Sequence, residues 1–370
     1  MARNIPEIPF TELVERVSQI TRLTSDNDLS RVRGALNDHY VREIPYKEDW
    51  SFFLASSAIT TEAQYDQGTV SINTLGTAVT FSSDVSLDAT FTGRKIQFTQ
   101  ADNIYTLTYS NATGATISPP LSGTQNITNG AYQIFQPTYF LAPDFQRFPK
   151  NGGLQVFQGG MMQIVGEDAL QPYYAQYTPS PSIPAKCRVL SPGTNNVMRV
   201  ELSPPPVSPM ALPYDYLRQP YPLQESTAGF ISITAGATTV TGSAGTTRFT
   251  EASTGWYIRS NDFGKGADST WYRVTAIAND SSLTISPAFT NTGVTIARYA
   301  LSASPEMPPV LHPFMLYGAS KMLMADQNDP ILQLMGSQMT ANLQDAKRLY
   351  KTRIYNQQVE TIAEDWQYRR

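Results

Sequence analysis

The sequence predicts an α+β fold, with helices at the two chain ends and a β-rich centre that holds two repeated modules. Three observations support this prediction. Charged side chains are dense in residues 1–50, which hold 16 of them, and sparse in residues 68–135, which hold five. Apolar residues recur at helical spacing near both ends, whereas they alternate with a period of two in the centre. A segment of roughly seventy residues also occurs twice.

Two amphipathic helices are predicted within the first fifty residues. Apolar side chains three and four positions apart form the stripe of the first helix: Phe10, Leu13, Val14, Val17, Ile20 and Leu23. The polar string "TSDND" then offers cap residues, and a second stripe ends before Pro45: Leu29, Val32, Leu36 and Tyr40. An aromatic cluster of Trp50, Phe52 and Phe53 follows, and core packing is its simplest role.

The repeat is recognised from pairs of similar strings in the β-rich centre. "GTVSIN" at Gly68 matches "GFISIT" at Gly229, and "ATISPPL" at Ala115 matches "LTISPAF" at Leu283. Short alternating runs separated by Gly and Asn turns predict antiparallel strands, so each copy is expected to be a small Ig-like β-sandwich or a β-barrel. We expect the equivalent residues Ile117 and Ile285 to point inward. Pro119 and Pro287 should end their strands, because proline cannot donate to the ladder.

Between the two modules lies a proline-rich segment. Residues 138–227 contain 14 of the 26 prolines, together with apolar runs such as "MRVEL" that are typical of strands. Many tyrosines also occur here, and so many aromatic residues argue against a solvated, disordered linker. We therefore predict a β-rich wall of strands joined by stiff extended connections.

The last sixty residues return to helical spacing. One stripe comprises Phe314, Tyr317, Ala319, Met322 and Leu323. Asp329 and Pro330 then supply an N-cap and a proline in the first turn, and from Ile331 helical spacing continues for some thirty residues. The helices of the two chain ends are expected to pack as one bundle, since neither pair could bury its stripe alone.

These patterns divide the chain into four parts. Residues 1–60 and 305–370 are predicted to form one helical core. Residues 66–137 form the first β module, residues 138–227 the wall rich in Pro and Tyr, and residues 228–303 the second β module. The duplication thus reflects a repeated fold, and no chemical motif accompanies it.

The chain carries little that predicts catalysis, a metal site or a cofactor. His39 and His312 are the only histidines, so no familiar zinc spacing can be assembled. Cys187 is the only cysteine, which excludes an intrachain disulfide, and we expect it to be a small, partly buried apolar side chain. The string "GKGADST" at Gly264 lacks the spacing of a phosphate-binding loop and falls between predicted strands. We predict that the protein is not an enzyme and that it uses no cofactor.

Charge and hydropathy exclude two classes of partner. A net charge of −4 and a pI near 5.3 do not favour sequence-specific nucleic-acid binding, which usually requires an excess of Lys and Arg. No run approaches the ~18 apolar residues of a membrane span, and the first residues lack the layout of a signal peptide. We expect synthesis in a cytoplasm and no membrane partner.

Basic and aromatic residues near the C-terminus are candidates for an interface. Cations complement the dipole at the end of a helix, which is the simple explanation, but Trp, Tyr and Arg are also the residues that anchor interfaces. The candidates are Lys347, Arg348, Lys351, Arg353, Trp366, Tyr368, Arg369 and Arg370.

The two ends of the chain resemble the head-to-tail adaptor (connector) proteins of tailed bacteriophages. The N-terminal string "RVRGALNDHYVREIPYKEDWSFF" resembles the helix and aromatic cluster of that family, and "PPVLHPFMLYGASKMLM" resembles the segment that opens its closing helices. The likeness covers about a third of the chain. It is carried by Asn37, Tyr40, Trp50, Phe52, Pro309, Leu311, His312, Tyr317, Gly318 and Ala319.

The resemblance implies a structural virion protein in the neck between capsid and tail. Its helical part would form a twelvefold ring beneath the portal protein, with the C-terminal tail reaching into the portal. DNA would pass through the lumen without sequence-specific binding. The tail tube or nozzle protein would bind on the other side, and tail fibres are candidate partners of the β modules. These two modules are larger than the insertions of simple adaptors.

Two other functions fit parts of the sequence. A carbohydrate-binding or adhesive protein of a phage tail would use Trp256 and Trp271 of the second module to hold sugars. A glycan-cleaving tail enzyme would need an essential pair of carboxylates, and no motif identifies one: adjacent acids such as Glu364 and Asp365 face different directions on a helix.

Overall fold

A computed structural model describes residues 7–101, 103–150, 152–156, 160–166, 183–193, 195–261, 270–290, 292–324 and 330–350. The fold is α+β and rich in strands, which confirms the predicted class. The described chain forms two compact units. The first comprises residues up to 53 together with residues from 219, and the second comprises residues 54–218.

The first unit contains the helices. They are α1 (Phe10–Thr21), α2 (Asp26–Asp38), α3 (Ile44–Lys47), α4 (His312–Leu323) and α5 (Pro330–Tyr350). Most of the predicted stripes of α1 and α2 are buried, and the Ser25 hydroxyl accepts a hydrogen bond from the Asp28 backbone N–H to cap α2. Helix α4 contacts α1, α2 and α5. The predicted cap of α5, Asp329, lies outside the described residues.

The chain around Pro45 differs from the prediction. The second helix is not simply closed before this proline: a π-helical turn, His39–Glu43, follows α2, and Pro45 lies in the first turn of the short helix α3. The Ile44 N–H still donates to the His39 carbonyl, so the helical segment continues into α3, and Pro45, which has no N–H to donate, directly follows the π-helical turn that interrupts the regular hydrogen-bond ladder. Trp50 then fixes this corner, since its indole N–H donates to the Ile44 carbonyl at 2.8 Å.

The second β module completes the first unit. Its strands are β15 (Glu225–Ser226), β16 (Ile231–Ile233), β17 (Thr239–Gly242), β18 (Tyr257–Ser260), β19 (Tyr272–Asn279), β20 (Ser282–Ser286), β21 (Val294–Ala297) and β22 (Tyr299–Ser302). They form one antiparallel sheet in the order β15-β22-β18-β19-β20-β17-β16-β21.

The first β module lies in the second unit. Its strands are β2 (Val70–Ile72), β3 (Ala78–Phe81), β4 (Lys95–Phe98), β5 (Ile104–Asn111), β6 (Gly114–Ser118), β7 (Ile127–Gly130) and β8 (Tyr132–Phe135). Their order is β7-β2-β3-β6-β5-β4-β8, which is the order of the second module once the added β15 is set aside. Ile117 and Ile285 are both buried, and β6 and β20 both end at the serine before a proline.

Each module closes into a barrel. Strands β7 and β8 are separated only by Ala131, so they are two halves of one strand. The first half pairs with β2 and the second half pairs with β4, and these two strands lie near opposite ends of the sheet. The second module is closed in the same way by β21 and β22, which are separated by Arg298.

The Pro- and Tyr-rich wall forms two small sheets in the second unit. Strands β9 (Thr138–Phe140), β11 (Gln163–Ile164), β12 (Lys186–Leu190) and β13 (Arg199–Ser203) make one of them. Strands β1 (Leu54–Thr60), β10 (Phe145–Arg147) and β14 (Ala211–Arg218) make the other. Both sheets contribute to one apolar core.

The wall therefore includes a segment that the sequence prediction assigned to the helical core. Residues 54–60 form β1, which pairs antiparallel with β14 along its whole length, from Leu54 opposite Leu217 to Thr60 opposite Ala211. The edge of the first unit thus falls at Phe53 instead of residue 60. Within the described ranges, no helix has the length and apolar character that a membrane crossing requires.

Candidate interface surfaces

Two of the predicted interface residues lie on the last turns of α5. The Lys347 ammonium lies 2.6 Å from a carboxylate oxygen of Glu48, and both side chains are largely buried. Next to this pair, the Tyr350 ring packs edge-on against Phe52, with ring centroids 6.2 Å apart. Lys347 therefore holds α5 against the N-terminal segment, and its ammonium is already paired with the Glu48 carboxylate.

Arg348 is the more accessible of the two cations. Its side chain is 81% exposed, and its guanidinium is 3.7 Å from the Asp345 carboxylate, a distance at which an exposed pair contributes little to stability. Leu334 and Leu349 on the same helix are also exposed. The other predicted candidates lie outside the described residues: Lys351, Arg353, Trp366, Tyr368, Arg369 and Arg370.

The two histidines lie where the ends of the chain meet. In the π-helical turn, Nδ1 of His39 lies 2.9 Å from a carboxylate oxygen of Glu43, and the His39 ring lies 5.2 Å from that of Phe314 on α4. A methyl group added at Gly318 would collide with the His39 ring, so this close approach requires glycine. Burial lowers the pKa of His39, although the Glu43 carboxylate opposes the shift.

His312 joins α4 to two backbone segments. Its Nδ1 accepts the Ile8 backbone N–H at 3.1 Å, and its Nε2–H donates to the Met307 carbonyl at 3.2 Å. This pair of bonds requires the neutral ring with the proton on Nε2. Burial lowers the pKa of His312 as well, which favours the same neutral form. Both histidines therefore serve packing in the structure.

An open groove of about 670 Å³ lies between the helical segments and the second β module, within the first unit. Trp256 and Tyr221 supply aromatic surface, and prolines 222, 305, 308 and 309 line it. Its charged groups are the carboxylates of Glu7, Glu251 and Glu306 and the guanidinium of Arg273.

The two tryptophans proposed as sugar contacts differ in their surroundings. Trp256 lines the groove, whereas the Arg259 guanidinium stacks on the ring of Trp271, 4.5 Å from its centroid. Trp271 therefore has one face covered by its own chain. Of the two, Trp256 is the one placed to contact a ligand in this groove.

The described residues contain no group of three or more His, Cys, Asp or Glu side chains that could hold a metal ion. Cys187 is a buried free thiol, and burial raises its pKa to about 12, so it is a poor nucleophile at neutral pH. Cys187 is predicted from the sequence to be partly buried, and the structure buries it fully. Most of the string that begins at Gly264, and the acids Glu364 and Asp365, lie outside the described residues.

The groove could not be recognised as a site in the sequence. Its walls come from several separate segments, including those near residues 7, 221, 254 and 306, and no local string joins them. One signal was present: aligning the two repeats puts Trp256 opposite Arg94, an exchange of a charged residue for a large aromatic one.

No protein-family model matches this chain, and neither a curated protein nor a solved structure gives a significant match.

Proposed function

We propose that this chain is a structural virion protein, the head-to-tail adaptor of a tailed bacteriophage. In this proposal, its copies form a twelvefold ring beneath the portal protein, in the neck that joins capsid to tail. DNA passes through the lumen of the ring without sequence-specific binding. The protein acts without catalysis and without a cofactor.

The observation that supports the proposal is that the two distant segments resembling the adaptor family contact each other in one compact unit. The Glu306 backbone N–H donates to the Tyr40 hydroxyl at 3.0 Å, and the Ile8 N–H donates to His312 at 3.1 Å. His39 also packs on Gly318. We propose that helices α1 to α5 form a single bundle around these contacts, and that this bundle is the ring-forming part.

The charge of the chain fits a conduit for DNA. The net charge is −4, and a mildly acidic wall would let a polyanion slide past without binding tightly. A ring also needs two unlike lateral faces on each subunit, since head-to-tail contacts close a cyclic assembly. We assign portal and tail tube or nozzle proteins to the two ends of the ring, and tail fibres to the β modules.

Negative-stain microscopy combined with mass measurement would test the proposal. The purified protein would be imaged alone and after mixing with the portal ring encoded by the same genome. We expect a twelvefold collar on one end of the portal. A monomer that does not bind the portal ring would contradict the adaptor function.

A carbohydrate-binding function is the second candidate, and the position of Trp256 in the groove is what favours it. Sugars stack on exposed indole faces, and nearby carboxylates can accept hydrogen bonds from hydroxyls. The full chain and its Trp256→Ala variant would be screened against a broad glycan panel. Glycan binding that depends on Trp256 would support this function, and the absence of glycan binding by both proteins would rule it out.

A further inference from the structure

The groove of the first unit has the shape and the polarity of a site for a short peptide. At about 670 Å³ it falls within the size range of ligand clefts, and it is open to solvent. Tyr221 is 68% exposed at its rim, and Trp256 packs with one side on the core of the second module. Aromatic-lined grooves hold extended peptides in several kinds of recognition domain.

The charges of the groove indicate a basic occupant. Three carboxylates and one guanidinium line it, which leaves a formal charge of about −2 at neutral pH. Some of these groups already have local partners: Glu7 accepts a hydrogen bond from the Tyr257 hydroxyl at 2.8 Å, and Glu251 is 3.1 Å from Arg248. The sum is nevertheless negative, so a cationic peptide is favoured over an anionic one.

The chain itself contains a peptide of complementary chemistry. Residues 366–370 read "WQYRR", with two aromatic rings and two arginines. Twenty residues follow Tyr350, and a fully extended segment of that length spans roughly 70 Å. Such a tail is long enough to reach from one subunit of an assembly to the next.

We propose that the groove of each subunit binds residues 366–370 of a neighbouring copy, with the arginines opposite the carboxylates and the aromatic rings against Trp256 and Tyr221. The inference rests on the proposed ring, since it names a contact between its subunits. A tail on one copy and a groove on the next are two unlike surfaces, which is the kind of contact that closes a cyclic assembly.

A direct test measures peptide binding to a chain that lacks its own tail. A fluorescent peptide of residues 361–370 would be titrated into the chain truncated after Asp365, and anisotropy would report binding. We expect saturable binding that weakens at high salt. Affinity should fall about tenfold or more in the Trp256→Ala variant, and also when Arg369 and Arg370 of the peptide are replaced by alanine.

Two matched substitutions of a carboxylate distinguish a specific effect of the groove from a general effect of net charge on peptide binding. Glu251→Gln removes one carboxylate from the groove, whereas Glu62→Gln removes a similarly exposed one from the second unit that does not line the groove. Only Glu251→Gln should weaken the peptide. Equal binding by both variants and by Trp256→Ala, or no binding to the truncated chain, would overturn the inference. Binding of an oligosaccharide but not of the peptide would overturn it too, in favour of the glycan function.

The failure of this contact can be told apart from a failure of the proposed function. If the truncated chain binds no peptide but the full-length chain still forms a collar on the portal, the adaptor function stands and the tail contact is wrong. If the peptide binds the groove and truncation reduces ring formation without portal, the contact is supported directly.

Discussion

The two β modules have the same barrel and different surfaces. In both, a tyrosine at the start of the closing half-strand donates to a backbone carbonyl upstream: Tyr132 to Gln67, and Tyr299 to Ala228. Just before β4 and its counterpart β18, however, Arg94 of the first module is replaced by Trp256 in the second. Arg94 is buried, stacks on Phe91 with its guanidinium 4.4 Å from the ring centroid, and lies 3.7 Å from Glu62.

The two modules thus share part of their interior, including Ile117 and Ile285, but differ at other equivalent buried positions, such as Phe98 and Ser260. In the first module the Arg94 guanidinium stacks on Phe91 of the same module, whereas in the second module the Trp256 indole lines the groove. Mutations at the core positions that the two modules share are expected to act alike in both. Exchanges at the positions that differ should act in opposite directions.

The largest expected effect comes from the shared core. Ile117→Ala and Ile285→Ala remove the same side chain from equivalent buried positions, and each should lower the free energy of unfolding of its own module by about 2–5 kcal/mol. Hydrogen exchange measured by mass spectrometry would assign the loss of protection to one module. If either substitution loosened both modules equally, they would not be separate folding units.

The next effect concerns a strained position in the closing strand. Ile296 has a φ of 52° and is 64% exposed, whereas its equivalent, Asn129, has a φ of 50°. Asparagine tolerates this left-handed region, and β-branched residues rarely adopt it. We expect Ile296→Asn to stabilise the second module by about 1 kcal/mol, and Asn129→Ile to destabilise the first by at least as much.

Hydrogen exchange in each module, measured across a urea series, would report these changes module by module. Thr295→Asn, which places the same side chain at the preceding exposed position, is the control and should change little. A destabilising effect of Ile296→Asn would mean that the isoleucine has a contact that offsets its strain.

A smaller effect is expected at the tight turn between the first two strands of each barrel. Leu75 has a φ of 56° in the first module, and its equivalent in the second is Gly236, with a φ of 77°. A Cβ atom added at Gly236 would meet no atom within 4 Å, so Gly236→Leu should cost about 1 kcal/mol through the backbone alone.

The reverse exchange, Leu75→Gly, should gain less, because glycine also increases the entropy of the unfolded chain. Chemical unfolding of both variants would check this asymmetry. Ala235→Leu, at an exposed position without the left-handed conformation, serves as the control. Equal costs for Ala235→Leu and Gly236→Leu would show that the turn conformation does not set the effect.

The smallest effect should appear in mild acid, which should destabilise the helices more than it destabilises the two β modules. Burial lowers the pKa of His39 and of His312, so below about pH 6.5 the unfolded chain binds more protons than the folded one, and stability falls as the pH falls. Residues 66–137 and 228–303 contain no histidine. Hydrogen exchange at about pH 7.5 and pH 5.5, corrected for intrinsic rates, should show protection lost in α2 and α4 first. Equal loss in the modules would contradict this.

Much of the fold could be predicted because its signals are local. Repeated strings located both modules, and helical spacing located α1, α2 and α4. The sequences of the hairpins β5–β6 and β19–β20 also differ: Leu107 aligns with Val274, whereas Asn111 aligns with Asn279, so the second hairpin contains one more residue.

The structure accounts for that extra residue with a β-bulge. In the second module the pairing of β19 with β20 shifts register twice, between Val274 and Ala276 and between Ile277 and Asn279. In the first module the pairing of β5 with β6 shifts only once, between Tyr109 and Asn111. A bulge adds one residue to one strand without changing the strand order.

The remaining features could not be predicted because they depend on contacts between distant segments. The π-helical turn at His39 is coupled to a glycine on α4, nearly three hundred residues later in the chain. Residues 54–60 alternate weakly, and only their pairing with β14 makes them a strand. The groove likewise exists only once the second module has folded beside Tyr40 and Phe52.

The closure of each barrel by one interrupted strand has a consequence for how such a chain is made. Two similar modules in one polypeptide could exchange strands while the ribosome is still producing the second, and tandem repeats are prone to this kind of misassembly. A barrel whose last strand bonds on both sides offers a newly made copy little unpaired backbone to capture. A gene could therefore duplicate this module and keep both copies without making their synthesis more error-prone.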